Sequence, residues 1–413
     1  MASSVANAES VEAPASWTAA FAALGVLSVA YGAPLVAVVA LKPIAAELGT
    51  ARSVAALAIS LVWLGSGAGG IGMGWAAERF GVRVPVLFGS AMMAVGLVLS
   101  ASGGPWLLLL GHGLFVGLLG NSAMFAPLVI YVSRWFDRRR GTALALIASG
   151  QYIAGVLWPG LFQRGIAAFG WRPTMMLFGV LQLALIAPVA AALLRRAPPE
   201  AHGTGAAARG PRPGAPVLGL RPNTVLALLA AAAFFCCVPM AMPSGHLVAF
   251  CGDLGIAPAR GAAMLSLLLG AAFVSRQFWG WVADRIGGLR TVLAASACQA
   301  AALSGFLITQ DEIGLFTVAA AFGLGFSGII PAYVVAIREL FPASEAGWRV
   351  PALLFCGMLG MATGGWLAGA LYDRFGSYAP AFAAGVASNL VNLALVGSLV
   401  ALQRAAQVRP ALG

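Results

Sequence analysis

Arg276 is the residue in this sequence with the clearest capacity for chemistry, because it interrupts the apolar run LLLGAAFVSRQFWGWVADR. A guanidinium inside hydrocarbon costs roughly 3 to more than 10 kcal/mol unless a cavity, a partner or a ligand relieves it. Its planar fork can hold a carboxylate through two parallel hydrogen bonds, which a lysine ammonium does not match. A second reading stays open: Arg276 precedes Asp284 by eight residues, about 12 Å of helix rise, so the side chain could lean toward an interface. Asn121, Gln151, Tyr152 and Tyr333 could complete an anion site, although such groups also serve as interhelical hydrogen-bond partners. His246 titrates near neutrality when unperturbed, which makes it the candidate for proton coupling, with an ordinary hydrogen-bonded histidine as the alternative. No acid, base and nucleophile cluster is apparent and the five cysteines lack ligand spacing, so neither an enzyme nor a metal or other cofactor is expected.

A second set of residues is repeated. GWAAERFGVR runs from Gly74 to Arg83, and GWVADRIGGLR runs from Gly280 to Arg290. Gly74, Glu78, Arg79, Gly81 and Arg83 in the first copy have Gly280, Asp284, Arg285, Gly287 and Arg290 as counterparts in the second. Such duplication is how many secondary transporters are built, with two similar halves moving about a site at their interface.

The elements that position these residues follow from composition. Of 413 residues, 61% are hydrophobic and 9% charged, against about a quarter charged in ordinary soluble domains. Apolar runs of about 20 residues, the length that crosses a bilayer, recur from Trp17 almost to the C-terminus. Twelve spans are predicted, giving an all-α membrane protein of two pseudo-symmetric six-helix bundles. The expected organisation is a disordered cytoplasmic tail over 1–16, a bundle over 17–194, a cytoplasmic linker over 195–222, a second bundle over 223–402 and a tail over 403–413. The linker is rich in Pro, Gly and Ala, as a flexible connector should be. The net charge of +11 sits mostly as arginine in short loops, where it sets topology rather than a nucleic-acid face. That distribution places both termini in the cytoplasm and the chain in the inner (plasma) membrane.

These features resemble the major facilitator superfamily, whose best-known loop motif has the pattern that both copies carry. The resemblance implies that the motif's acid and arginine cap neighbouring helices and form a cytoplasmic charge latch. The sequence is more closely similar to the monocarboxylate-porter and oxalate/formate-exchanger branch. WFDRRRGTALALIASG from Trp135, FGWRP from Phe169, GHLVAFCGDLG from Gly245, GLGFSGIIPAYVVAIRELFP from Gly323 and LYDRFGSY from Leu371 carry that similarity. In that branch an arginine of the eighth helix binds the substrate carboxylate, and Arg276 matches its place. Two features depart from the proton-coupled porters: Ala272 stands where they often have an acid, and AYGAPLVAV lacks their first-helix lysine. The oxalate exchangers' second base, in the eleventh helix, has no counterpart after Arg349. The expectation is a secondary transporter that works as a monomer in the lipid bilayer by alternating access. Its partner is a small organic anion, a monocarboxylate before a dicarboxylate, with proton coupling open. Export of drugs or other metabolites and a membrane sensor are the alternatives.

Overall fold

The structure is a computed structural model and describes residues 12–136, 139–195 and 216–408. Most of the expected N-terminal tail, most of the connector and the last residues of the C-terminal tail lie outside that range. Within it, twelve helices are long and apolar enough to cross a membrane. The first six are α1 (Pro14–Val39), α2 (Arg52–Phe80), α3 (Arg83–Ala101), α4 (Pro105–Ser133), α5 (Thr142–Phe169) and α6 (Trp171–Leu193). The second six are α7 (Pro222–Asp253), α8 (Pro258–Ile286), α9 (Gly288–Ile308), α10 (Glu312–Leu340), α11 (Ser344–Phe375) and α12 (Ala379–Ala405). They form two bundles of six, and each span is helical because a backbone in lipid must satisfy its polar groups internally, which a helix does within one segment.

Local sequence sets the ends. Proline opens α4, α7 and α8, where its missing N–H removes nothing the helix would use. Gly81 and Gly287 stop α2 and α8 with nearly identical backbone angles, φ 82° and ψ 153° in the first and φ 81° and ψ 164° in the second. That region is open in practice only to glycine. The repeated motif therefore has a conformational reason for its second glycine. In both copies the motif forms the helix's last turns, and the glycine after them makes the turn.

Four helices are broken within their spans. In α1 the helix is interrupted at Tyr31, and in α5 at Ser149. In α10 the interruption falls at Ser327 and Gly328, while α4 widens into a π-helix over Gly111–Gly120 followed by a 3-10 turn over Asn121–Ala123. Non-helical backbone at membrane depth is tolerated where it meets protein or a cavity rather than lipid. The two halves pack α2 on α11 and α5 on α8. Inside the second half, Gly360 and Gly364 of α11 let its backbone lie on α7, for a Cβ at Gly364 would sit 2.1 Å from the Val238 carbonyl oxygen.

Candidate functional site

A cavity of about 250 Å³ lies between the halves. Its wall draws on α1, α2, α4 and α5 of the first half and on α7, α8, α10 and α11 of the second. All four broken helices contribute, through Tyr31, Phe125, Tyr152 and Phe326. Arg276, Gln151, Tyr152 and His246 all line it, so the structure brings four of the expected residues together from α5, α7 and α8.

Arg276 is the only formally charged side chain on this wall among the described residues. Its Nη1 donates to the Ala148 carbonyl oxygen at 2.9 Å. That carbonyl sits just before the break in α5, where the Tyr152 N–H turns to Ser149 O at 3.0 Å instead of continuing the regular ladder. The guanidinium carbon also stands 4.9 Å from the centre of the Tyr152 ring, an arrangement that favours a cation over the ring face. Among the described residues its Nε–H has no protein partner and no carboxylate comes within ion-pair distance. The charge is thus held in place by one carbonyl and one ring, with donors left over.

The halves are joined at the end of the bundle opposite the described chain ends. Arg52, at the start of α2, grips Asp253 at the end of α7 with both nitrogens, Nη1 to Oδ2 at 2.5 Å and Nη2 to Oδ1 at 2.7 Å. Lys42 adds a third contact to Asp253 at 2.8 Å. The Asp373 carboxylate of α11 accepts the backbone N–H groups of Arg52 and Ser53 at 2.9 and 2.8 Å. It thereby caps α2 from the other half, where the first N–H groups of a helix lack partners and the dipole favours an anion. Arg52 also lies over the Tyr372 ring at 3.7 Å and donates to the Tyr378 hydroxyl at 3.3 Å.

His246 joins this clamp to the cavity. Its Nε2 is 2.8 Å from the Gly365 carbonyl oxygen, which can only accept, so Nε2 carries the proton. Nδ1 then accepts from the Tyr378 hydroxyl at 3.0 Å. Arg52, Tyr378 and His246 form one chain in which both histidine nitrogens are occupied.

A family model described as Major Facilitator Superfamily matches residues 20–347. The chain belongs to the Major Facilitator Superfamily. Among curated relatives, this facilitator is 27% identical to monocarboxylate transporter 13 of Bos taurus over 336 residues, 79% of this chain and 75% of that one. It is 25% identical to MFS-type transporter opdF of Penicillium oxalicum over 299 residues, 71% and 68% of the two chains. Among solved structures, a bacterial homologue of the human lysosomal transporter Spinster, in an inward-facing and occupied conformation, has a TM-score of 0.70 at 14% identity. That match covers 95% of this chain and 98% of the other and speaks for the fold.

Two expected site residues of the facilitator lie away from the cavity wall. Asn121 is buried and donates from Nδ2 to Ser66 Oγ at 2.8 Å, joining α4 to α2. Tyr333 is 0% exposed and donates to Asn392 Oδ1 at 2.7 Å, heading a polar chain through Asn389 to Gln299. Both face neighbouring helices because polar groups inside a bundle find partners there as readily as in a cavity. The charge latch expected at the repeated motif also takes a different form. Glu78 approaches Arg134 at 4.0 Å within the first half, Arg79 lies 5.7 Å from the Trp75 ring, and Arg285 lies 3.5 Å from the Trp281 ring. Among the described residues no ion pair from Glu78, Arg79, Asp284 or Arg285 reaches the other half, while the clamp at the opposite end is closed.

Sequence reasoning missed the clamp altogether. The signal lay in strings already singled out, for Asp253 stands in GHLVAFCGDLG and Asp373 and Tyr378 stand in LYDRFGSY. It also missed Tyr31, Trp63 and Phe326, which line the cavity but look in sequence like any other aromatic in an apolar run.

Proposed function

We propose that the chain is a secondary transporter that carries a small organic anion, a monocarboxylate, across the inner membrane by alternating access. The observation that carries this reading is Arg276 on the wall of a cavity between the halves, held by a carbonyl and a ring, with no carboxylate partner among the described residues. A carboxylate entering the cavity supplies the missing counter-ion, with Tyr152 beside Arg276 and Gln151 on the same wall. The relative's name, monocarboxylate transporter 13, points the same way.

With the termini in the cytoplasm, the Arg52, Asp253 and Asp373 clamp closes the outer end, and the cavity serves the inner side. In the opposite state the clamp parts, and the motif residues Glu78, Arg79, Asp284 and Arg285 draw the cytoplasmic ends together. His246, with both nitrogens bonded, serves the clamp in this scheme. A second reading, export of a larger metabolite, is favoured by the largely carbon surface of the cavity.

Uptake into proteoliposomes by wild type and Arg276→Gln, across lactate, pyruvate, formate, oxalate and larger acids with and without a pH gradient, tests the proposal. The variant should lose transport of acids by about 10- to 100-fold, the worth of a hydrogen bond to a charged group. Acid transport that survives the substitution would overturn the assignment of Arg276, and transport of neutral compounds alone would favour the second reading.

A further inference from the structure

The cavity is much larger than the head group that Arg276 can hold. It encloses about 250 Å³, just under the roughly 300 to 1,000 Å³ of pockets that surround drug-sized ligands. Arg276 stands at one end. It is eighteen residues along α8 from Pro258, about 27 Å from the clamped face. Gly245, also on the wall, is eight residues from the Asp253 end of α7, about 12 Å from the same face. Between these levels the wall is mostly carbon and sulfur, with Trp63, Met240, Leu269, Met358 and Met361 on it.

Several of the polar groups on the wall are engaged or shielded. His246 has both nitrogens occupied. Ser244 donates to Met240 O at 2.7 Å, and Ser327 pairs with Ser275 at 2.6 Å. Ser60 Oγ lacks a partner but is buried beneath the wall. A two- or three-carbon acid held by Arg276 would leave most of this surface against water, which finds few partners in an apolar space. Methionine side chains adapt to irregular apolar shapes, and three of them converge here.

We infer that the cavity is built for an amphipathic monocarboxylate, one carboxylate at Arg276 and an apolar body the size of an aromatic ring lying between Trp63, Met240 and Met361. This rests on Arg276 being the carboxylate's partner and adds the chemical class of the rest of the molecule. Each methylene moved from water onto such a wall tightens binding by about fourfold, so the tail decides selectivity among acids of equal charge.

The test is calorimetric binding to the purified full-length protein in nanodiscs, with lactate, 4-phenylbutyrate and the neutral 4-phenylbutyramide as probes. The phenyl acid should bind at least about tenfold tighter than lactate, and the amide at least about tenfold weaker than its acid. Gly245→Leu supplies the second arm, because Gly245 lines the cavity and a Cβ there meets nothing within 4 Å. It should cut the preference for the phenyl acid over lactate by about threefold or more while the melting temperature holds. Lactate binding as tightly as the phenyl acid, or a preference untouched by Gly245→Leu, would overturn the tail assignment and leave Arg276 standing. The amide binding as tightly as the acid would instead remove Arg276 from the site. Binding of none of the three probes would overturn both.

Discussion

Asp253→Asn should loosen the clamp that joins the two halves. The Asp253 carboxylate accepts two bonds from Arg52 and one from Lys42, and the substitution keeps its shape while removing the charge that holds them. The side chains of Arg52, Asp253 and Lys42 are 13%, 22% and 38% exposed, so the loss falls between that of a surface pair, about 0.2 to 1 kcal/mol, and that of a buried one, about 3 to 5 kcal/mol. A value of about 2 kcal/mol shifts the balance between clamped and parted states by about 30-fold. Hydrogen exchange reads this directly. The amides of Arg52 and Ser53 belong to one half and donate to Asp373 of the other, so they are released only when the halves part. Their exchange should quicken by about 30-fold in the variant, while amides in the middle of α3 and α9 keep their rates. Unchanged exchange at residues 52 and 53 would refute the reasoning, and an increase everywhere would mean loss of the fold rather than opening of the clamp.

Gly364→Leu should prevent α11 from lying on α7, because its Cβ would be forced to 2.1 Å from the Val238 carbonyl oxygen. A loss of several kcal/mol, roughly 3 or more, should appear as a lowered melting temperature and a broadened gel-filtration peak. Tyr333→Phe strands the buried Asn392 Oδ1 acceptor and should lower stability by about 1 to 3 kcal/mol while leaving substrate affinity intact. Weakened binding at an unchanged melting temperature would return Tyr333 to the substrate site. The carboxylate of Glu47, at the end of the short helix Leu41–Glu47 that follows α1, is held below its usual range, chiefly by the hydrogen bond from Arg172, with help from the Trp171 N–H and against a smaller effect of burial. Its stabilising effect is therefore complete above the ordinary glutamate pKa of 4.5 and fades as pH falls through the lower folded value. The melting-temperature difference between wild type and Glu47→Gln should be constant near neutrality and should close on acidification. A difference that widens in acid would reverse the sign.

Much of the architecture was legible because it depends on local composition. Apolar length marks each span, and the repeated Gly81 and Gly287 mark matching turns whose backbone only glycine adopts. The candidate site was legible in part. Arg276 was conspicuous because a charge among apolar residues requires a reason wherever it points. Asn121 and Tyr333 were not separable from Gln151 and Tyr152 by the same means, since all four are polar groups in apolar runs and only their facing differs. Arg52, Asp253 and Asp373 looked like ordinary loop charges, for their pairing joins residues about 200 to 320 positions apart.

From sequence alone came the number of spans, the division into related halves and the presence of one interior cation, because hydropathy, repetition and charge are properties of neighbouring residues. Tertiary structure decided which polar groups face the cavity, which face another helix, and which end of the bundle is fastened. Those outcomes depend on how each helix is rotated and how the halves meet. A rotation of α10 that carries Tyr333 to Asn392 changes nothing in the letters around it, yet it takes the hydroxyl out of the cavity and into the packing.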